Sequence, residues 1–352
     1  MSSDQGERVQ TARYRRGNRY LARLTVEGRE VSRTFPTKTA AEHWVSLQRV
    51  ALSRDEWISP KQGTVTFNEV ADAWLARPDI RESTRERDAS YLASMIRPRL
   101  GYRPIRAITP DDLDELVRAL GAEGKAPATI RKASQIAGAV LEDAVRRGLI
   151  GRSPHRGVRL PKLADEEMMF LTAEQIHAVS DSLGDFRGMG LLGGFGGLRL
   201  GEVLGLRVDD VGADAASVKR TVSELASGVS VGAPKTRKAV RTVALPRFVL
   251  DSLPTGSGYL FSDSRGGPLR QKNWRARVWR PAVQAAGFPS LRFHDLRHSH
   301  VALLISMGTD PKTIAERLGH RSVRTVLDVY GHLYESADRD VADKLEGFSA
   351  RN

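Results

Sequence analysis

His294-Asp-Leu-Arg297-His298-Ser-His300 is the stretch on which the reading of this chain turns. Residues three and four apart share a helix face, so one turn can present His294, Arg297 and His298 together. Three more stretches surround it in the sequence. They are Gly197-Leu-Arg199-Leu-Gly-Glu202, Pro234-Lys235-Thr236, and Leu318-Gly-His320, followed ten residues later by Tyr330 in Asp328-Val-Tyr330-Gly-His332.

Two arginines and a lysine from separate elements can converge on one phosphate, whose oxygens match the guanidinium fork. Such cations stabilise the charge that builds up in a phosphoryl-transfer transition state. A tyrosine with a pKa near ~10 is a poor nucleophile until a base takes its proton. Histidine is the natural base at neutral pH. An Arg/Lys/His/Tyr set without a carboxylate pair suggests metal-free phosphoryl transfer to tyrosine. No cofactor is implied. Cysteine is absent, which excludes disulfides, thiolate metal sites and a cysteine nucleophile.

Working outward, 352 residues are too many for one typical core and suggest two or three domains. The composition, 40 % hydrophobic and 28 % charged, is that of a globular protein. No apolar run approaches the ~18 residues of a membrane span, and no secretion signal is visible. A cytoplasmic location fits. The net charge is +13, spread as +5 over residues 1–63, +4 over 64–165 and +4 over the remainder. A polyanion touched along the whole chain would explain that spread, against the blander readings of solubility or a membrane surface.

Residues 1–63 read as a small basic module. Arg19–Thr25 and Glu30–Phe35 alternate as strands around a Glu27-Gly28 turn, and Thr39–Leu52 has helical spacing. Arg15, Arg16, Arg19 and Arg23 stud this sheet and are candidate DNA contacts. Residues 64–160 read as an all-α domain. Its helices are signalled by Thr66-Phe-Asn-Glu69, by Ser83–Ile96, by Thr109-Pro110-Asp111-Asp112, and by Pro127 opening a helix that Gly148 ends. Arg85 and Arg131 are candidate DNA contacts here. Ser153–Lys162 reads as a linker. Residues 161–352 form a mixed, mainly helical domain, with a capping box at Thr172–Gln175 and strands at Ser217–Val222, Val229–Gly232 and Val240–Leu245. The fold class is therefore multidomain α+β.

The four stretches, in this order, resemble the signature blocks of the tyrosine recombinases, the family that includes phage integrases. The likeness covers roughly residues 170–340 and is nearest to integrases of actinobacterial phages or integrative elements. It implies site-specific strand cleavage and rejoining of double-stranded DNA through a 3′-phosphotyrosine. Arg199 and Arg297 would clamp the scissile phosphate, and Lys235, on the turn of a β-hairpin, would protonate the leaving 5′-oxygen. His294 would assist proton transfer at the nucleophile, His320 would hydrogen-bond a non-bridging oxygen, and Tyr330 would attack. Glu202 would hold an arginine in place, and His298 would be structural. The family works as a homotetramer on DNA, with a directionality factor and a host DNA-bending protein as possible partners. A C-terminal tail with Val341, Leu345 and Phe348 would pack onto a neighbouring protomer.

Other readings stay open at this level. A DNA-binding regulator of the same fold could lack the chemistry. A type IB topoisomerase-like enzyme uses a similar residue set. His294, His298 and His300 invite a metal-dependent nuclease, although no acidic ligand is placed in the zincin manner. Gly193–Gly197 suits helix packing better than a phosphate loop, since it lacks the Walker lysine. Tyr334 is the rival nucleophile, and Lys238 the rival lysine.

Overall fold

The computed structural model describes residues 9–13, 19–26, 29–53, 65–163, 168–234, 237–320, 322–334, 342 and 345–346. The chain divides into two compact units, Met1–Asp165 and Glu166–Asn352.

The first unit begins with an antiparallel sheet of β1 (Val9–Arg13), β2 (Tyr20–Val26) and β3 (Arg29–Phe35), in that order. Helix α1 (Lys38–Ser53) follows. Side chains alternate along a strand. Ala22 and Leu24 are accordingly buried, Ala22 clustering with Ala41 and Val45 of α1, while Arg23 is exposed. Arg19 is exposed just before β2. Arg15, Arg16 and the Glu27-Gly28 turn lie outside the described residues.

The helical part comprises α2 (Phe67–Leu75), α3 (Glu82–Tyr91), α4 (Arg97–Leu100), α5 (Pro110–Ala122) and α6 (Pro127–Arg146). A wider turn over Leu92–Ile96 joins α3 to α4. The capping signals work as read. Thr66 and Glu69 close the start of α2 reciprocally, and Thr109 and Asp112 do the same for α5. These helices bury Phe67, Trp74, Leu113, Leu116, Ile136 and Leu141 in one core, each worth ~1.5–3 kcal/mol of transfer energy.

Two arginines that the sequence offers to DNA have structural partners here. Arg85 donates to the carbonyls of Leu75 (2.9 Å) and Arg77 (2.9 Å), satisfying backbone oxygens at the end of α2. Arg131 donates to the carbonyl of Pro161 at 3.1 Å, and the amide of Arg159 to Asp114 at 3.2 Å. The expected linker is thus tied to the helical core as far as Pro161.

The second unit starts with α7 (Ala173–Asp181), capped by Thr172 and Gln175, then α8 (Arg187–Gly194) and α9 (Leu200–Val203). Four short strands follow: β4 (Ala215–Val218), β5 (Thr221–Leu225), β6 (Gly228–Gly232) and β7 (Arg241–Ala244). They form two separate antiparallel ladders, β4 with β7 and β5 with β6. The single strand expected over Ser217–Val222 is broken at Lys219 and Arg220, both of which turn to the buried carboxylate of Asp210. Lys235, expected on a hairpin turn, is not among the residues these ladders describe. It falls between β6 and β7 in sequence and lies outside the described residues.

Helices α10 (Arg247–Leu250), α11 (Gln271–Trp274), α12 (Arg280–Ala285), α13 (Phe293–Ser306), α14 (Pro311–Leu318) and α15 (Arg324–Tyr330) complete the unit. Its main core runs from Leu171 to Leu296, and Trp274, Trp279 and Phe293 pack ring against ring within it. A second cluster joins Val301, Ile305, Ile314, Leu318, Val326 and the ring of Tyr330. Among the described residues, no helix is long and apolar enough to cross a membrane. Val341 and Phe348 of the tail lie outside them, and Leu345 is exposed.

The glycine-rich stretch packs helices. A Cβ on Gly194 would lie 2.3 Å from Cγ2 of Ile176 in α7. Gly194→Ala therefore overpacks the α7–α8 contact, and urea denaturation is expected to show a loss of ~1–3 kcal/mol.

Candidate active site

Helix α13 carries the central residues, and its start is fixed by a charged cap. The Arg292 amide donates to Asp295 at 2.7 Å while its guanidinium returns to the same carboxylate at 3.0 Å. Ser299 then accepts from the Leu171 amide at 2.9 Å, anchoring the helix to the segment before α7.

Arg297 is 2 % exposed. It donates to the carbonyl of Gly197, to that of Leu318 at 2.7 Å, and to His320 Nε2 at 3.1 Å. Burial, and then repulsion from nearby Arg199, lower its pKa to about 9. Because Arg297 can only donate, His320 Nε2 accepts and its proton sits on Nδ1, which is buried without a hydrogen-bond partner among the described residues. Gly197 must be glycine on two counts. Its φ is +66°, and a Cβ would lie 2.5 Å from Cδ2 of His300.

Glu202 occupies the second focus. It is buried, and accepts from the Arg199 guanidinium at 2.9 Å and the Arg199 amide at 3.0 Å. A second arginine, Arg241 of β7, grips the same carboxylate in a fork at 3.1 and 3.0 Å. Burial opposes the charged carboxylate, but the hydrogen bond and charge of Arg241, then those of Arg199, hold its pKa below the ordinary value. Arg241 also donates to the Arg317 carbonyl at 2.7 Å. Sequence reasoning missed Arg241, since nothing in a short strand pattern separates it from the surface arginines around it.

The three histidines of α13 have different partners. His300 is buried. It receives Arg317 Nε on Nε2 at 3.0 Å and donates from Nδ1 to the Gly194 carbonyl at 3.1 Å. Both ring nitrogens are engaged, so the metal reading loses a ligand. His298 Nδ1 lies 2.6 Å from the Tyr330 hydroxyl. His294 stands edge-on to His298, with ring centroids 4.7 Å apart. The resemblance implied that His294 assists proton transfer and that His298 is structural; here the partner of the Tyr330 hydroxyl is His298. Burial, then His298, Arg297 and Arg199, lower the His294 pKa to about 4. His320 is lowered to about 4 by burial, then Arg297 and Arg199.

Tyr330, at the end of α15, is 4 % exposed. Burial pushes its hydroxyl up to about 12 against the pull of Arg297 and Arg199. It is therefore protonated at neutral pH and needs an acceptor to react. Tyr334 sits apart from this set, its hydroxyl 3.5 Å from the Thr309 carbonyl. A cavity of about 310 Å³ opens beside His320, lined by Lys238, Lys312 and Gly319 among others.

The phage integrase family model matches residues 177–337, and that of the phage integrase central domain residues 67–160. The chain is 27% identical over 334 residues to the putative prophage phiRv2 integrase of Mycobacterium tuberculosis, covering 89% of this chain and 88% of that one. It is 26% identical over 338 residues to the integrase of Mycobacterium phage L5, covering 89% of each. The Tn1549 transposon integrase in complex with transposon right end DNA superimposes with a TM-score of 0.68 at 20% identity, over 80% of this chain and 100% of that one. A lambda integrase tetramer bound to a Holliday junction gives 0.55 at 18% identity, over 87% of this chain and 92% of that one. Fold and site define a site-specific DNA recombinase of the tyrosine type. Within that class the chain belongs to the phage integrase family.

Removing one arm of the Glu202 clamp is expected to be costly. Arg241→Ala leaves a buried carboxylate half-compensated and should cost about 3 kcal/mol in urea denaturation, whereas replacing Arg241 and Glu202 together by methionine should recover most of it. The histidines set the acid limit. The folded-state values of His294, His320 and His300, about 4, 4 and 3, lie below the unfolded value, which is ~6.5. Their contribution is full above ~6.5 and is lost as pH falls toward the folded values, because the unfolded chain takes up protons first. The Tm should therefore decline between ~6.5 and 4, as calorimetry would show.

Proposed function

We propose that the chain cuts and rejoins double-stranded attachment-site DNA through a 3′-phosphotyrosine at Tyr330, integrating or excising a mobile element. The observation that carries this is the buried Tyr330 hydroxyl, hydrogen-bonded to an imidazole within the field of Arg297 and Arg199. Arg199 and Arg297 hold the scissile phosphate and stabilise its transition-state charge. Glu202 orients Arg199. His320, now accepting from Arg297, turns its proton to a phosphate oxygen when DNA is bound. Lys235 protonates the leaving 5′-oxygen. The phosphotyrosine link conserves the energy of the phosphodiester, so the reaction needs no ATP.

Residues 1–63 would bind accessory arm sites through Arg15, Arg16, Arg19 and Arg23. Residues 64–160 and 161–352 would each contact the core site. In this reading four protomers assemble on two duplexes in the cytoplasm of a bacterial host. A directionality factor and a host DNA-bending protein are the further partners of this reading.

The test is a suicide substrate, nicked so that the cleaved fragment diffuses away, incubated with EDTA and no ATP. Wild type should give a denaturation-resistant protein–DNA adduct, and Tyr330→Phe none. An adduct persisting in Tyr330→Phe would move the nucleophile elsewhere, with Tyr334 next in line. Relaxation of supercoiled DNA lacking an attachment site would favour the topoisomerase-like reading.

A further inference from the structure

We propose that His298, rather than His294, receives the Tyr330 proton as the hydroxyl attacks the scissile phosphate. This rests on Tyr330 being the nucleophile. The geometry carries it. His298 Nδ1 is 2.6 Å from the Tyr330 oxygen, a length suited to an O–H donating to a ring nitrogen. Among the described residues His298 is the hydroxyl's hydrogen-bond partner, while His294 meets His298 ring edge to ring face.

The arrangement follows from helix spacing. His294 and His298 stand four residues apart on α13, one turn above the other. Of the two, it is His298 that reaches the end of α15. Tyr330 cannot move far to seek another base, because its ring is packed among Val301, Ile305 and Val326. His294 packs against the His298 ring and restricts its rotation, so that Nδ1 stays aimed at the oxygen. Asp295, buried at the start of the same helix, favours the imidazolium that forms, partly offsetting burial and the charges of Arg292 and Arg297.

The step balances. The tyrosine O–H bond breaks and its proton passes to Nδ1. The tyrosine oxygen bonds to phosphorus, the P–O5′ bond breaks, and O5′ leaves with a proton from a separate donor, Lys235 in the reading above. In rejoining, the 5′-hydroxyl attacks phosphorus as its proton returns to the donor, Lys235 in that reading, the P–O bond to tyrosine breaks, and the imidazolium returns its proton to the departing tyrosine oxygen.

The experiment is single-turnover cleavage of the suicide substrate by the full-length protein. His298→Asn is the decisive variant. Its amide oxygen can accept the tyrosine hydrogen bond near the position of Nδ1 but cannot take the proton. It should bind DNA as wild type does and cleave ~10²–10⁴-fold more slowly. His298→Ala should be similarly slow and be accelerated by added imidazole. If His298→Ala does not fold, His298→Asn alone carries the comparison. Cleavage by His298→Asn at the wild-type rate, or imidazole rescue of His294→Ala but not of His298→Ala, would overturn the proposal. Both outcomes presuppose an inert Tyr330→Phe. An adduct in that variant would instead overturn the nucleophile assignment, and this proposal with it.

Discussion

The buried carboxylate of Glu202 sits between Arg199 and Arg241, and the rest of the catalytic centre depends on that bridge. Arg199, Arg241 and Arg297 lie close enough to disturb one another electrostatically. Like charges in a low-dielectric interior repel strongly. Glu202 counters part of that repulsion, and the carbonyls of Gly197 and Leu318 hold Arg297 in place. What remains is an excess of positive charge fixed before any substrate arrives. A phosphate entering this site meets donors that need no reorganisation.

The proposed nucleophile is built on the opposite principle. Tyr330 belongs to an apolar cluster of α13, α14 and α15, and burial raises the energy of its anion. The site therefore combines a cationic phosphate seat with a reluctant tyrosine. Contact between them runs through α13, which supplies Arg297 to the first and His298 to the second. A phenolate is not stored in this resting arrangement. Under the proposed function it forms only as a proton acceptor and an electrophilic phosphorus are presented together.

Much of this was legible in the sequence, and the reasons differ by residue. Thr66, Thr109 and Thr172 announce helix starts because capping is a local interaction, settled within four residues. Arg199, Arg297, His320 and Tyr330 stood out because reactive residue types recurred in four ordered stretches. Arg241 did not, since its meaning lies in a carboxylate 39 residues earlier in the chain. The choice between His294 and His298 also escaped. Both lie on one helix face, and the approach of α15 decides which one touches the tyrosine. Arg85 and Arg131 show a related ambiguity. A basic side chain near a helix surface reads the same whether it faces a phosphate or closes a carbonyl.

The grip of Arg297 on the Gly197 carbonyl spans 100 residues of sequence, and its grip on the Leu318 carbonyl a further 21. No short segment of the chain can make these contacts by itself. The arrangement around Arg297 comes into being only with the tertiary structure of the second unit. A chain still being synthesised, or one locally opened and awaiting proteolysis, carries Tyr330 without the arginine arrangement beside it. A recombinase built this way gathers its buried arginine contacts only once the second unit is whole.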